Sequence, residues 1–143
     1  MIKKLLFLVI TTCIYSSALA QMVIPDTSDC IQSFSIEAET VAGDNQRVDD
    51  IKLSWNFSEA TNSNKLKLSF EVQPLNACWE GLNGTKRSEV RTFKISDFSE
   101  QLIGSKKLTY TDLNCKCIKW KAIIVDPTTN CETKTDWQFI SFL

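Results

Sequence analysis

The sequence predicts an all-β protein, a single seven-stranded antiparallel β-sandwich stabilised by disulfides. Three observations carry that expectation. From residue 30 onward nearly every segment alternates apolar and polar side chains with period two, as a strand with one buried and one wet face does. Helical periodicity is almost absent. Five cysteines follow residue 20, in a chain that contains no histidine. Sheets that are wet on one face must bury the other against a second layer, so two of them are expected to pack together.

The strands follow in order. The first is expected at 33–38, where Phe34, Ile36 and Ala38 alternate with Ser33, Ser35 and Glu37. The second is 51–57, with Ile51, Leu53, Trp55 and Phe57 set against Lys52, Ser54 and Asn56. The third, 65–72, places Leu66, Leu68, Phe70 and Val72 opposite Lys65, Lys67, Ser69 and Glu71. Pro74 cannot donate to a ladder and is expected to stop it. Less regular strands are expected at 89–95 and 107–112. The sixth, 118–124, alternates Ile118, Trp120, Ala122 and Ile124 with Lys119, Lys121 and Ile123, and the seventh is 137–142. Polar segments 41–50, 58–64 and 127–136 read as connections. The one helical signal is Asp97 with Glu100, a capping pair for a single turn through Leu102 and Ile103 closed by Gly104.

Residues 1–20 read as a secretory signal peptide: Lys3 and Lys4, an apolar run over 5–15, and a small-x-small site at Ala18-Leu19-Ala20. That run is shorter than the roughly 20 residues that span a bilayer, and no second run exists, so no membrane span is expected. One domain is then expected at 21–143, in an extracellular or periplasmic setting. It has 123 residues, and with Lys3 and Lys4 removed its 14 basic and 17 acidic side chains leave a net charge of −3.

Composition excludes several functions. The near-neutral charge speaks against nucleic acid as a partner, because such affinity needs clustered phosphate-neutralising side chains. Without histidine there is no Ser-His-Asp or Cys-His nucleophile and no imidazole zinc site. Asp49 and Asp50 are adjacent, so on a strand they point to opposite faces and cannot work as a carboxylate pair. The expectation is a non-catalytic protein without cofactor or metal.

The cysteines after residue 20 are Cys30, Cys78, Cys115, Cys117 and Cys131. An oxidising compartment makes disulfides the default, and an odd number leaves at least one thiol over. Cys115-Lys116-Cys117 supplies one close pair but no second pair at ligand spacing. On a strand, Cys115 and Cys117 share a face, and Lys116 and Lys119 would favour a thiolate. A thiol-active reading therefore stands beside one in which one of the two makes a structural bond and the other is spare.

Ile51, Leu53 and Trp55 resemble the second strand of an immunoglobulin-like domain of the fibronectin type III kind, with its buried Trp. Leu68, Phe70 and Val72 resemble its third strand. The stretch 108–124 is similar to the fifth and sixth strands with their linking corner: Leu113 falls at the corner leucine, Trp120 at the usual Tyr and Ala122 at the usual small residue. The resemblance spans about residues 30–143 and implies binding or spacing roles with no catalytic residues. It also implies poles. Cys30 would lie near Cys131 at one, and Cys78 near Cys115 or Cys117 at the other. A Cys30–Cys131 bond would close a loop of about 100 residues, worth up to ~4.7 kcal/mol in the chain-entropy model.

In the same arrangement the third and sixth strands are neighbours. Lys65, Lys67, Lys119 and Lys121 would then form a basic patch on one outer face. It reads either as a solvated face whose lysines discourage edge pairing or as the contact for an anionic partner, protein or glycan. Trp79, in the turn-rich stretch after Pro74, reads as an exposed binding anchor or as a cover over the open end of the core. Trp55, Trp120 and Trp137 fit the core alternation. Asn56-Phe57-Ser58 and Asn83-Gly84-Thr85 are glycosylation sequons, and both asparagines are expected to face solvent. The function expected first is a secreted binding or adhesion module. The alternative is a small envelope assembly factor offering an edge strand to a client, similar to the curli-assembly chaperones, some of which carry a Cys-x-Cys motif. A thiol-active protein using Cys115 and Cys117 comes third.

Overall fold

The structure is a computed structural model that describes residues 21–23 (as backbone), 30–44 and 47–143. The expected signal peptide lies outside the described residues. Among these, the strands are β1 (Gln21–Val23), β2 (Ser35–Val41), β3 (Asp50–Asn56), β4 (Lys67–Leu75), β5 (Arg91–Lys94) and β6 (Ile103–Leu108). One turn of helix follows, α1 (Tyr110–Leu113), and then β7 (Cys117–Asp126), β8 (Cys131–Lys134) and β9 (Gln138–Ser141). They form two antiparallel sheets. One has the order β1-β2-β3-β6, and the other β5-β4-β7-β8, with β9 pairing β7 further along.

Alternation sets which side chains meet. Along β4 and β7 the register places Phe70 opposite Ala122, Val72 opposite Trp120 and Leu68 opposite Ile124, all facing inward and buried. Ile36, Ile51, Leu53 and Trp55 do the same for the other sheet, and both faces feed one hydrophobic cluster. Aromatic rings run through this cluster. Trp55 lies 6.0 Å from Phe70, and Phe70 lies 6.2 Å from Trp120. Phe57 stacks on Phe34 at 4.8 Å and meets Phe98 edge-on at 5.1 Å. Full burial of each such side chain stabilises by about 1.5–3 kcal/mol. Phe142 closes one end. It is buried, its amide donates to Lys116 O, its carbonyl accepts from Asp49 N, and its ring faces Tyr110 at 6.1 Å.

A carboxylate sits at the same end. Asp50 is buried at the start of β3, ion-paired to Lys107 Nζ at 2.8 Å and accepting the Tyr110 amide at 3.3 Å. The bond from Lys107 holds its carboxyl below the usual carboxylate range, against the opposing effect of desolvation.

Several expected elements differ. Pro74 does not stop its strand; it lies within β4, opposite Ile118. Its carbonyl accepts from Arg87 N on the side away from β7, so the missing N–H falls where β7 has no use for it. The fifth strand is β6 at Ile103–Leu108 rather than 107–112, because Thr109 Oγ1 accepts from Asp112 N and caps α1 there. The expected turn from Asp97 shrinks to a 3-10 turn, Phe98–Glu100, and Gly104 belongs to β6. Among the described residues, two strands exceed the expected seven. Short β1 precedes the first, and β8 lies inside the segment read as a 127–136 connection. Trp137 is not core. It is half-buried on the outer face of the five-stranded sheet, with Lys121 and Lys119 ammoniums 4.8 and 5.4 Å from its ring centroid.

Candidate functional site

β4 runs into a hairpin whose tip, residues 77–84, projects from the sheet. Val72 pairs with Arg91 while Leu75 bridges Lys86, so the returning strand carries two extra residues. Buried Gln73 fills that bulge by donating from Nε2 to Ser88 O and Pro74 O. Below the tip, Asn76 N donates to Thr85 O at 2.9 Å and Asn76 Nδ2 to Lys86 O at 3.2 Å. The Cys78–Cys117 disulfide ties the tip to the first residue of β7, and Lys119 Nζ reaches Leu82 O at 3.3 Å. Gly81, at φ 55°, makes the left-handed turn that starts the 3-10 turn Gly81–Asn83. Trp79 stands on this braced tip, 85% exposed, which overturns its reading as a cover over the core.

Beside Trp79 opens a cleft of about 440 Å³, lined by Arg87, Tyr110, Lys116 and Leu143 with Cys115 among its walls. Cys115 is buried and unbonded. Burial pushes its thiol up, only partly opposed by a hydrogen bond with the Leu75 backbone and by the Arg87 charge. The expected thiolate is therefore not favoured, and Lys116 and Lys119 are not what sets this thiol. Nor do Cys115 and Cys117 form a matched strand pair: Cys115 follows left-handed Asn114 ahead of β7, and Cys117 is already bonded to Cys78. At the far pole Cys30 is bonded to Cys131, and Thr133 Oγ1 accepts the Ile31 amide beside it.

The four lysines are distributed unevenly. Lys67, Lys119 and Lys121 lie on the outer face of β4 and β7, while Lys65 ends the 3-10 turn Ser63–Lys65 before β4. Lys121 is ion-paired to Glu71 at 3.1 Å as well as lying over Trp137. Lys65 and Lys67 share a second cleft with Lys94. Asn56 and Asn83 are both exposed, and Asn56 Oδ1 accepts from Ser58 N and Oγ. Sequence reasoning missed Arg87, Tyr110 and Lys116 as neighbours of Trp79, since only the tertiary fold joins them. Lys94 had a readable signal: its place in the 89–95 alternation puts it on the outer face.

No family model, no curated protein and no solved structure matches the chain. Two disulfides fit a protein that folds outside a reducing compartment. Among the described residues no helix is long and apolar enough to cross a membrane.

Proposed function

We propose that the protein is a secreted, non-catalytic binding module on a fibronectin type III-like β-sandwich, with Trp79 as its contact anchor. The observation that carries this reading is Trp79 itself, a large apolar side chain left 85% exposed on a loop restrained by a disulfide and a hydrogen-bonded hairpin. Tryptophan is rigid and over-represented at binding hot spots, and a loop already ordered loses little entropy on docking. Arg87 and Lys116 in the adjoining cleft bias it toward a partner with acidic groups there. The strand division supports the sandwich: β2, β3 and β6 against β4, β7 and β8 corresponds to first, second and fifth against third, sixth and seventh in immunoglobulin-class domains. Buried Trp55, Trp120 and Leu113 support it further.

The test is affinity capture from the extracellular or periplasmic fraction of the source, comparing the wild type with Trp79→Ala and with the Cys78→Ala/Cys117→Ala pair. A partner retained by the wild type is expected to bind Trp79→Ala about 30-fold more weakly, a hot-spot loss of ~2 kcal/mol, with the circular dichroism unchanged. Equal retention by Trp79→Ala rejects the anchor.

Strand pairing is the second reading, favoured by β6, which edges its sheet with Ile103 exposed. Lys106 and Lys107 on the same strand are the charges with which edges discourage pairing, so this reading ranks second.

A further inference from the structure

We propose that the cleft between the start of β4, the end of β5 and the turn at Phe98–Glu100 is a separate binding site, for a sulfated polysaccharide. The cleft measures about 610 Å³ and is lined by Lys65, Lys67 and Lys94. Lys94 faces Ser69 across the β4–β5 ladder, so Lys67 is its diagonal neighbour on the same face, the two residues roughly 7–8 Å apart. Lys65 sits in the 3-10 turn two residues earlier. Like charges at this spacing repel. Elsewhere four lysines are compensated: Lys52, Lys107, Lys121 and Lys134 each hold a carboxylate within 3.1 Å. Among the described residues no carboxylate pairs with Lys65, Lys67 or Lys94, and the one acid lining the cleft is Asp97. Three uncompensated ammoniums around a concave surface concentrate anions there.

The residue types select among anions. Every cation of the cleft is a lysine. An ammonium is a hydrated point charge without the planar fork that grips one phosphate or carboxylate bidentately, so it suits repeated charges on a hydrated chain. Asn64, Ser69 and Ser99 add neutral hydrogen-bonding groups suited to sugar hydroxyls, and half-buried Ile95 and Val125 offer apolar ground for a ring face. The outer face continues the row. Val125 pairs with Lys67, and Lys119 follows six residues along β7, roughly 20 Å away at about 3.3 Å per residue, with Lys121 between them held by Glu71. A single anion uses one end of such a row; a linear polyanion uses its length.

Isothermal titration with a heparin octasaccharide at about 50 and about 300 mM NaCl tests this. Binding is expected at the lower salt, weakened at least about tenfold at the higher, since exposed charges are screened. Lys67→Gln/Lys94→Gln is expected to weaken it by about tenfold, whereas Lys52→Gln/Lys86→Gln, the same change of charge elsewhere, changes it less than about threefold. Trp79→Ala leaves it unchanged, because Trp79 does not line this cleft. All of these side chains lie at the surface, and far-UV circular dichroism with the thermal midpoint verifies that each variant is folded. Absence of binding at the lower salt, equal loss in both double variants, or equally tight binding of an octaglutamate peptide overturns the assignment; the last result would give the cleft to an acidic peptide instead.

Discussion

Gly104 presents bare backbone to the Trp55 indole across the β3–β6 ladder: a Cβ on Gly104 would stand 2.7 Å from Trp55 Cζ2. The indole thus rests close against the edge strand, and its Nε1–H reaches Gln101 O at 2.8 Å. Trp55 also faces Phe70 in the opposite sheet, so its position is shared between the edge and the core. Gly104→Ala must push the ring or β6 outward. The expected cost is about 1–3 kcal/mol, read as a lower guanidinium midpoint at unchanged slope. A variant as stable as the wild type would show that β6 yields without resistance.

Acid should destabilise the fold through Asp50. Lys107 and the Tyr110 amide hold its carboxyl below the ordinary value of about 4, which the unfolded chain regains. The folded state therefore binds fewer protons in acid. The contribution of Asp50 is complete above the unfolded value and is lost as pH falls through the lower folded one. Asp126, which accepts from the Thr128 hydroxyl and amide, is lowered too and adds to the same slope. Thermal midpoints across pH 2–7 should fall on the acid side, and Asp50→Asn should flatten that fall while lowering the neutral plateau. An acid limb equally steep in Asp50→Asn assigns it to other carboxylates.

Alternation was legible where inward positions are apolar in their own right, as with Leu68, Phe70 and Val72 on β4 and Ile118 to Ile124 on β7. It failed where burial is satisfied by other chemistry. On β8 the inward residues are Cys131, bonded to Cys30, and Thr133, whose hydroxyl takes the Ile31 amide, so the strand reads as a polar loop. Trp137 was misassigned by parity alone. Phe139 pairs with Lys119 on the outer face, and Trp137, two residues before it, shares that side, leaving Ile140 and Phe142 to the core. The cap of α1 was readable, since Thr109 and Asp112 have capping spacing, but the segment's strand-like composition prevailed. At the candidate site, Trp79 itself was legible. Its exposure was not, because only the tertiary fold decides where the tip stands, with Cys78 bonded to Cys117 at the start of β7.

Cys115 should be chemically silent in the folded protein. A thiol reacts as its thiolate, and here two conditions oppose that form. Only 3% of the residue is exposed, and desolvation pushes its pKa up, with the hydrogen bond to Leu75 and the charges of Arg87 and Arg91 as the smaller opposing influences. Its neighbour Cys117 is committed to Cys78, so attack on that bond from Cys115 would first need the thiol to lose its proton in the buried wall of the Trp79 cleft. Labelling with a maleimide at neutral pH, with the modified residue identified by peptide mass, is expected to mark Cys115 roughly a hundredfold or more faster in denaturant than in the native state. Cys115→Ala should keep the Cys78–Cys117 bond and the Trp79-dependent capture intact. Rapid native labelling of Cys115, or loss of capture in Cys115→Ala with the fold preserved, would instead make the thiol part of the working surface and restore a thiol-based function.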